Sequence, residues 1–215
     1  NRSDNTIKYS QRLAKVMTLA SYKSGNQVGS MTNGSEMAVG MIYRNSLWGI
    51  GASYTEIGET KIQDTAAARS QALGKTQIYN LAGEYKLDRL KLKAGISQTK
   101  LPELKSGAIL KHPQLTIPNK DQVGSTVFVS AWGVQYDLNP KVELGLALYT
   151  KLQHQSKTYA LLDKDKRTVL SSIYKLSKRT DIYGVMDWHS NRAGVSETNK
   201  SKNQQSITAG LRHRF

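Results

Sequence analysis

The feature that constrains this chain most is a two-residue hydrophobic period, repeated in segments of about ten residues. In "LWGIGASYTE", Trp48, Ile50, Ala52 and Tyr54 alternate with Gly49, Gly51, Ser53 and Thr55. In "LKLKAGIS", Leu90, Leu92, Ala94 and Ile96 alternate with Lys91, Lys93, Gly95 and Ser97. In "KVELGLALYT", Val142, Leu144, Leu146 and Leu148 alternate with Glu143, Gly145, Ala147 and Tyr149. Successive side chains of a strand point to opposite faces, so the pattern is that of strands with one apolar and one polar face. A helical reading would bury glycines in helix interiors, at about 1 kcal/mol each.

About eleven such segments are expected, over residues 5–10, 15–23, 36–44, 47–56, 76–87, 89–99, 126–138, 141–151, 167–177, 180–188 and 205–215. Most have the length of a tilted strand that crosses a bilayer, roughly 9–11 residues. Short connections fall near residues 11–12, 45–46, 88–89, 139–140 and 177–178, mostly on Asn, Asp, Pro or Ser, which favour turns. Long polar connections fall near 24–35, 57–75, 100–125, 152–166 and 189–204. Regular exchange of short and long connections means consecutive antiparallel hairpins, with turns at one end and loops at the other. An all-β transmembrane barrel has this plan, its turns in the periplasm. The chain is expected to be a single β-barrel domain over residues 1–215. Eleven antiparallel strands would meet first to last in parallel, and an unclosed sheet in lipid leaves backbone groups unpaired. The segments are therefore read as the C-terminal portion of a barrel whose other strands lie upstream, consistent with a first residue that is not Met.

Alternation also fits a soluble sandwich. Hydrophobic residues make up 38% of the chain and mean hydropathy is -0.51, lean for a soluble core of this size, but a small solvated domain would explain that equally and composition does not choose. Two features separate the readings. Tyr9, Tyr43, Trp48, Tyr85, Tyr136, Tyr174 and Phe215 fall at the turn-side ends of the apolar face. Tyr22, Tyr54, Tyr79, Phe128 and Trp188 fall toward its loop side. Two aromatic belts are what the interfaces of a membrane select. In this register the apolar face carries no Lys, Arg, Asp or Glu, as lipid contact requires. The other face carries Lys8, Glu36, Arg44, Glu84, Lys86, Lys91, Lys93, Asp137, Glu143, Lys151, Lys175, Asp187, Arg212 and Arg214.

A formal net charge of +15 admits nucleic acid, anionic lipid or small anions as partners. The cations are spread over all hairpins and lie on the face opposite the aromatics, so no stacking platform for nucleic acid forms. No enzyme site is expected. The chain has no cysteine. Of its histidines, His112, His154 and His189 lie in or beside loops and His213 faces the apolar side, with no His-x-x-x-His pair for a metal. "GNQVGS" lacks the Lys-Ser/Thr of a phosphate loop. Neither metal nor cofactor is expected.

Three stretches carry a family resemblance. "RSDNTIKYS" resembles the Arg-x-Asp-Asn-Ser-[Ile/Val]-[Arg/Lys]-Tyr strand of the general trimeric porins of Gram-negative bacteria, beta-proteobacterial type. "YKLSKRTDIYG" and the terminal "AGLRHRF" closely resemble a hairpin and the last strand of the same family. The resemblance implies an outer-membrane homotrimer of sixteen-stranded barrels, of which this chain holds the last eleven strands but not the constriction loop. It places Arg2 and Lys8 on the pore wall and makes Phe215 the assembly signal read by the barrel-assembly machinery. "SQRLAKVMT" departs from the family by lacking the usual Pro and Gly-Gly, and it sets Met17 and Leu19 on the lumen face.

The expected function is a water-filled channel for passive diffusion of small hydrophilic solutes, with a mild anion preference. Its wall would be lined by Arg2, Asp4, Lys8, Glu36, Glu84, Lys91, Lys93, Glu143, Lys175, Asp187, Arg212 and Arg214. Tyr43, Trp48, Tyr54, Tyr85, Tyr136, Tyr174 and Trp188 would form the girdles, in contact with outer-membrane lipid and lipopolysaccharide. The alternatives are an outer-membrane barrel with a specific substrate or a structural role, and a soluble basic β-barrel or sandwich that binds nucleic acid.

Overall fold

The computed structural model describes residues 5–25, 34–58, 60–63, 70–102, 110–112, 115–117, 124–155, 161–193 and 202–214. Its strands are β1 (Thr6–Leu13), β2 (Val16–Lys23), β3 (Glu36–Arg44), β4 (Trp48–Ile57), β5 (Thr60–Gln63), β6 (Ser70–Leu73), β7 (Thr76–Leu87) and β8 (Leu90–Lys100). They continue with β9 (Leu110–His112), β10 (Leu115–Ile117), β11 (Ser125–Asn139), β12 (Val142–Gln155), β13 (Leu161–Lys175), β14 (Thr180–Ala193) and β15 (Lys202–His213). Eleven of these form one sheet in the order β1-β2-β3-β4-β7-β8-β11-β12-β13-β14-β15, and every pairing in it is antiparallel. The two short hairpins, β5–β6 and β9–β10, sit within the connections expected at 57–75 and 100–125. Among the described residues β1 and β15 pair with one neighbour each, so the sheet is an open wall rather than a closed barrel.

The eleven expected segments all lie in the sheet, and the differences are at their ends. The first turn is at residues 14–15, with Leu13 paired to Val16, rather than at 11–12. Ala14 has a φ of 51°, a conformation that costs a residue with a Cβ and carries no sequence signature. The strand pairing, which continues through Gln11 and Leu13 opposite Thr18 and Val16, sets the turn there. The conventional turns do use their polar residues. Asn45 Oδ1 accepts from the backbone N–H groups of Leu47 and Trp48 at 2.8 and 2.7 Å, and Asn139 Oδ1 from those of Lys141 and Val142 at 2.9 Å each. At the other end, β12, β13, β14 and β15 run past the expected strand limits into the stretches read as loops at 152–166 and 189–204.

There is no interior core in this sheet; its two faces do different work. One presents large apolar side chains in the open: Ile7 and Ile207 are each 76% exposed and Trp132 is 60% exposed. Such a surface would be an aggregation site in water and is the required one against acyl chains. The buried polar groups, Ser125, Gln153 and Asp181, all belong to the opposite face.

Candidate pore-lining face

Antiparallel partners share a face, so the pairing register assigns every side chain. Trp48 pairs with Tyr85, Ile50 with Gly83, Ala52 with Leu81 and Tyr54 with Tyr79, all on the apolar face. The other parity of the same strands carries the charges. Of the twelve residues expected to line a pore, Lys8, Glu36, Glu84, Lys91, Lys93, Glu143, Lys175, Asp187 and Arg212 lie on this polar face. Arg214 follows the end of β15 and reaches Asp181, 3.7 Å away, on that side. Arg2 and Asp4 lie outside the described residues. The seven expected girdle residues all lie on the apolar face. Tyr43 and Trp48 stack at the turn side with ring centres 4.7 Å apart, and Tyr54 and Tyr79 at the loop side with centres 5.0 Å apart. Phe215 lies outside the described residues.

The polar face is knit by cross-strand ion pairs. Near the turns, Arg44 Nε lies 3.2 Å from Glu84 Oε1, two strands away. The residue between them in the register is Gly49, where an added Cβ would make only ordinary contact, 3.5 Å from Arg44 Nε. Farther along, Asp181 is 5% exposed. Its Oδ2 accepts from Arg212 Nε at 3.1 Å and from Nη2 at 2.7 Å. This charge-assisted fork fixes the last two strands against each other at the turn end. Gly210 lies opposite Tyr183, whose ring covers it; a Cβ on Gly210 would come within 2.5 Å of the Tyr183 hydroxyl.

Toward the loops the same face carries a denser cluster. Lys151 Nζ lies 3.1 Å from Asp163 Oδ2, Asp165 pairs with His189, and Arg167 Nε donates to Asp187 Oδ2 at 2.7 Å. Lys151, Asp165, Arg167, Asp187 and His189 border, with Tyr149, a depression of about 520 Å³. The sequence reading found Lys151 and Asp187 here but missed Asp163, Asp165 and His189, because it placed residues 152–166 and 189–204 in loops; Arg167 began an expected strand but was not read as facing inward. The signal was present: "DKDKR" over Asp163–Arg167 is itself an alternation, which the pleat sorts into Asp163, Asp165 and Arg167 on one side and Lys164 and Lys166 on the other. His154 and His189 likewise stand in strands rather than loops.

The apolar face is also not wholly free of charge, contrary to expectation. Glu56 shares it with Tyr54, at the loop end of β4. The carboxylate is kept there by its neighbours: Lys75 Nζ lies 2.6 Å from Oε1, and the Tyr54 hydroxyl donates to Oε2 at 2.8 Å. At this rim the cost of a lipid-face charge has fallen toward zero.

Comparison with known proteins places this geometry. The family model for Gram-negative porins matches residues 1–194 of the chain. The chain belongs to the Gram-negative porin family. Its fold is that of solved porins. It superposes on the anion-selective porin from Comamonas acidovorans with a TM-score of 0.67 at 16% identity, over 99% of this chain and 60% of that one. The match to OmpT, an outer membrane protein of Vibrio cholerae, has a TM-score of 0.65 at 12% identity, over 98% of this chain and 64% of that one. The chain thus spans less than two thirds of the length of these two structures. No curated protein sequence matches it significantly. As a porin it is an outer-membrane protein, and its apolar face is the lipid-facing one.

Proposed function

We propose that the chain forms the greater part of the wall of a water-filled outer-membrane channel, through which small hydrophilic solutes diffuse passively with a mild preference for anions. One observation carries the reading: a single continuous sheet divides into an apolar face with aromatic belts and a charged face on which cations outnumber acids. In such a lumen the side-chain field sets which ions enter, and no chemical step is needed. The expected pore-lining residues supply that field unevenly. Among the described residues, Lys8, Lys93 and also Arg12 and Lys86 have no ion-pair partner. Lys151, Arg167 and Arg212 add less to the field, being neutralised by Asp163, Asp187 and Asp181.

The sixteen-stranded closure, the homotrimer and recognition of Phe215 by the barrel-assembly machinery follow from the family resemblance and are part of the same proposal. Single-channel recording on the full-length protein in planar bilayers under a salt gradient tests it. A reversal potential of the sign for anion flow is expected. A cation sign would remove the anion preference, and absence of conductance would remove the channel.

A further inference from the structure

The apolar face holds nearly every ring of the wall, and two tyrosines depart from this. Among the described Tyr, Trp and Phe residues, only Tyr149 and Tyr183 stand on the inward parity. Tyr183 lies over Gly210. Tyr149 is 42% exposed and makes no hydrogen bond among the described residues. Its inward neighbours toward the turns are Ala131, Gly133 and Ala147, none of which reaches beyond a methyl group. A face of this ring is therefore open to the lumen. Loopward of it lies the depression of about 520 Å³. Tyr149, Arg167, His189 and Gln204 form one row across β12 to β15. Three strand spacings make that row about 14 Å long.

The polar groups of the depression have hydrogen-bonding capacity left over. Asp187 Oδ2 takes both contacts from Arg167, through Nε and Nη2, which leaves Nη1. Asp165 meets His189 through Oδ1 alone, which leaves Oδ2. On β15, Gln204 and Ser206 are exposed and carry no hydrogen bond among the described residues. With His189 neutral the charges bordering the depression cancel, Lys151 and Arg167 against Asp165 and Asp187. Asp163 also draws on Lys151. A simple anion there meets carboxylates already in place, and a simple cation meets an ammonium and a guanidinium. A neutral solute disturbs neither pairing.

We propose that Tyr149 and the polar groups loopward of it form a saccharide subsite on the channel wall, which takes a neutral pyranose. A pyranose has two kinds of surface. Its C–H faces are apolar and slightly positive, which suits the negative face of a tyrosine ring. Its rim carries adjacent hydroxyls, each both donor and acceptor. Toward such a rim the free Asp165 oxygen accepts, Arg167 Nη1 donates, and the Gln204 amide does both. The volume lies within the range of small-molecule sites, roughly 300–1,000 Å³. The inference rests on the channel reading above, in which the inward face meets the passing solute.

The test is current recording on the full-length protein in planar bilayers, with maltose on both sides, against a poly(ethylene glycol) of matched size. Maltose is expected to lower the current saturably, and the polymer only in proportion to its concentration. Tyr149→Ala is expected to raise the half-blocking maltose concentration on the order of tenfold. The Gln204→Ala/Ser206→Ala double variant is expected to raise it about threefold. Tyr149→Phe keeps the ring and should stay near wild type. Equal effects of maltose and polymer, or an undiminished block in Tyr149→Ala, would overturn the subsite. Displacement of maltose by an equal concentration of inorganic phosphate would overturn it too, by showing a site for anions. Heat-modifiable migration on gels shows that each variant is folded, and the double variant carries the test if Tyr149→Ala is not. Saturation-transfer NMR with maltose on the same proteins in detergent keeps the two readings apart. Binding that needs Tyr149, without conductance, would keep the subsite and remove the channel. Conductance without such binding would keep the channel and remove the subsite.

Discussion

Two stretches of the inner wall are made by the same alternation and yet are built differently. On β2 to β4 the inward positions between the ends are Met17, Leu19, Ser21, Ala38, Gly40, Ile42, Gly51 and Ser53, with charge only at Lys23 and Glu36 on the loop side and Arg44 on the turn side. On β12 to β15 the inward positions carry a ladder of opposite charges that runs from Lys175 and Glu143, 3.9 Å apart, to Lys151 and Asp163 near the loops. The difference teaches that binary pattern fixes which face is lipid but not what the other face is made of. The lipid side has one chemical requirement. The inner side needs only to pair its backbone and tolerate water, so it can be smooth or charged.

The widest contrast to break is between the faces themselves. Leu146→Lys puts a charge on the lipid side of mid-β12, and a loss of about 2–4 kcal/mol is expected. Ala147→Lys, the next residue, points inward and is expected to cost far less. Denaturant titration of the folded full-length protein in lipid vesicles measures both, and equal losses would show that the face assignment is wrong.

Within the inner wall, the glycines of the charged side discriminate next. Gly210→Ala drives a methyl against the ring of Tyr183, with Cζ 2.6 Å away, and an overpacking loss of about 1–3 kcal/mol is expected. Gly145→Ala meets only the Ser171 hydroxyl, at 2.5 Å, which turns aside by rotating χ1. On the smooth side, Gly40→Ala meets ordinary contacts at 3.4 Å. The temperature at which the folded band disappears on gels should therefore fall most for Gly210→Ala and least for Gly40→Ala.

Selectivity gives a subtler comparison. Asp187→Asn releases Arg167 on the charged wall, while Leu19→Lys adds a cation to the smooth one. Each raises the charge of the lumen by one unit, and each should move the reversal potential toward anions. A shift from Leu19→Lys alone would mean that the ladder does not face the solute. The smallest effect expected is that of Glu56→Gln. It removes a rim ion pair with Lys75 at the membrane surface and should leave conductance and heat resistance unchanged.

Most of the wall was legible in the sequence because lipid imposes a strict rule on every second residue. All eleven long strands and the turns at Asn45 and Asn139 follow from that rule and from polar turn chemistry. What escaped did so where the rule relaxes. Near the loops, charges are tolerated on both faces, so "DKDK" at 163–166 read as loop although it is strand, and the Asp165–His189 and Arg167–Asp187 contacts beside it went unseen. Glu56 broke the charge-free expectation for the same reason, at a rim where Lys75 and Tyr54 hold it. The turn at Ala14 escaped because nothing local marks it; register across the hairpin places it.

The central claim is that one face of this sheet meets lipid and the other meets water. The chain has no cysteine, so single cysteines can be introduced along Leu144–Thr150 without background from this region. A membrane-impermeant thiol reagent applied to the reconstituted full-length protein should modify cysteine at positions 145, 147 and 149 quickly and at 144, 146 and 148 hardly at all. A two-residue period in labelling rate with that phase is the predicted result. Uniform labelling, or the opposite phase, would contradict it.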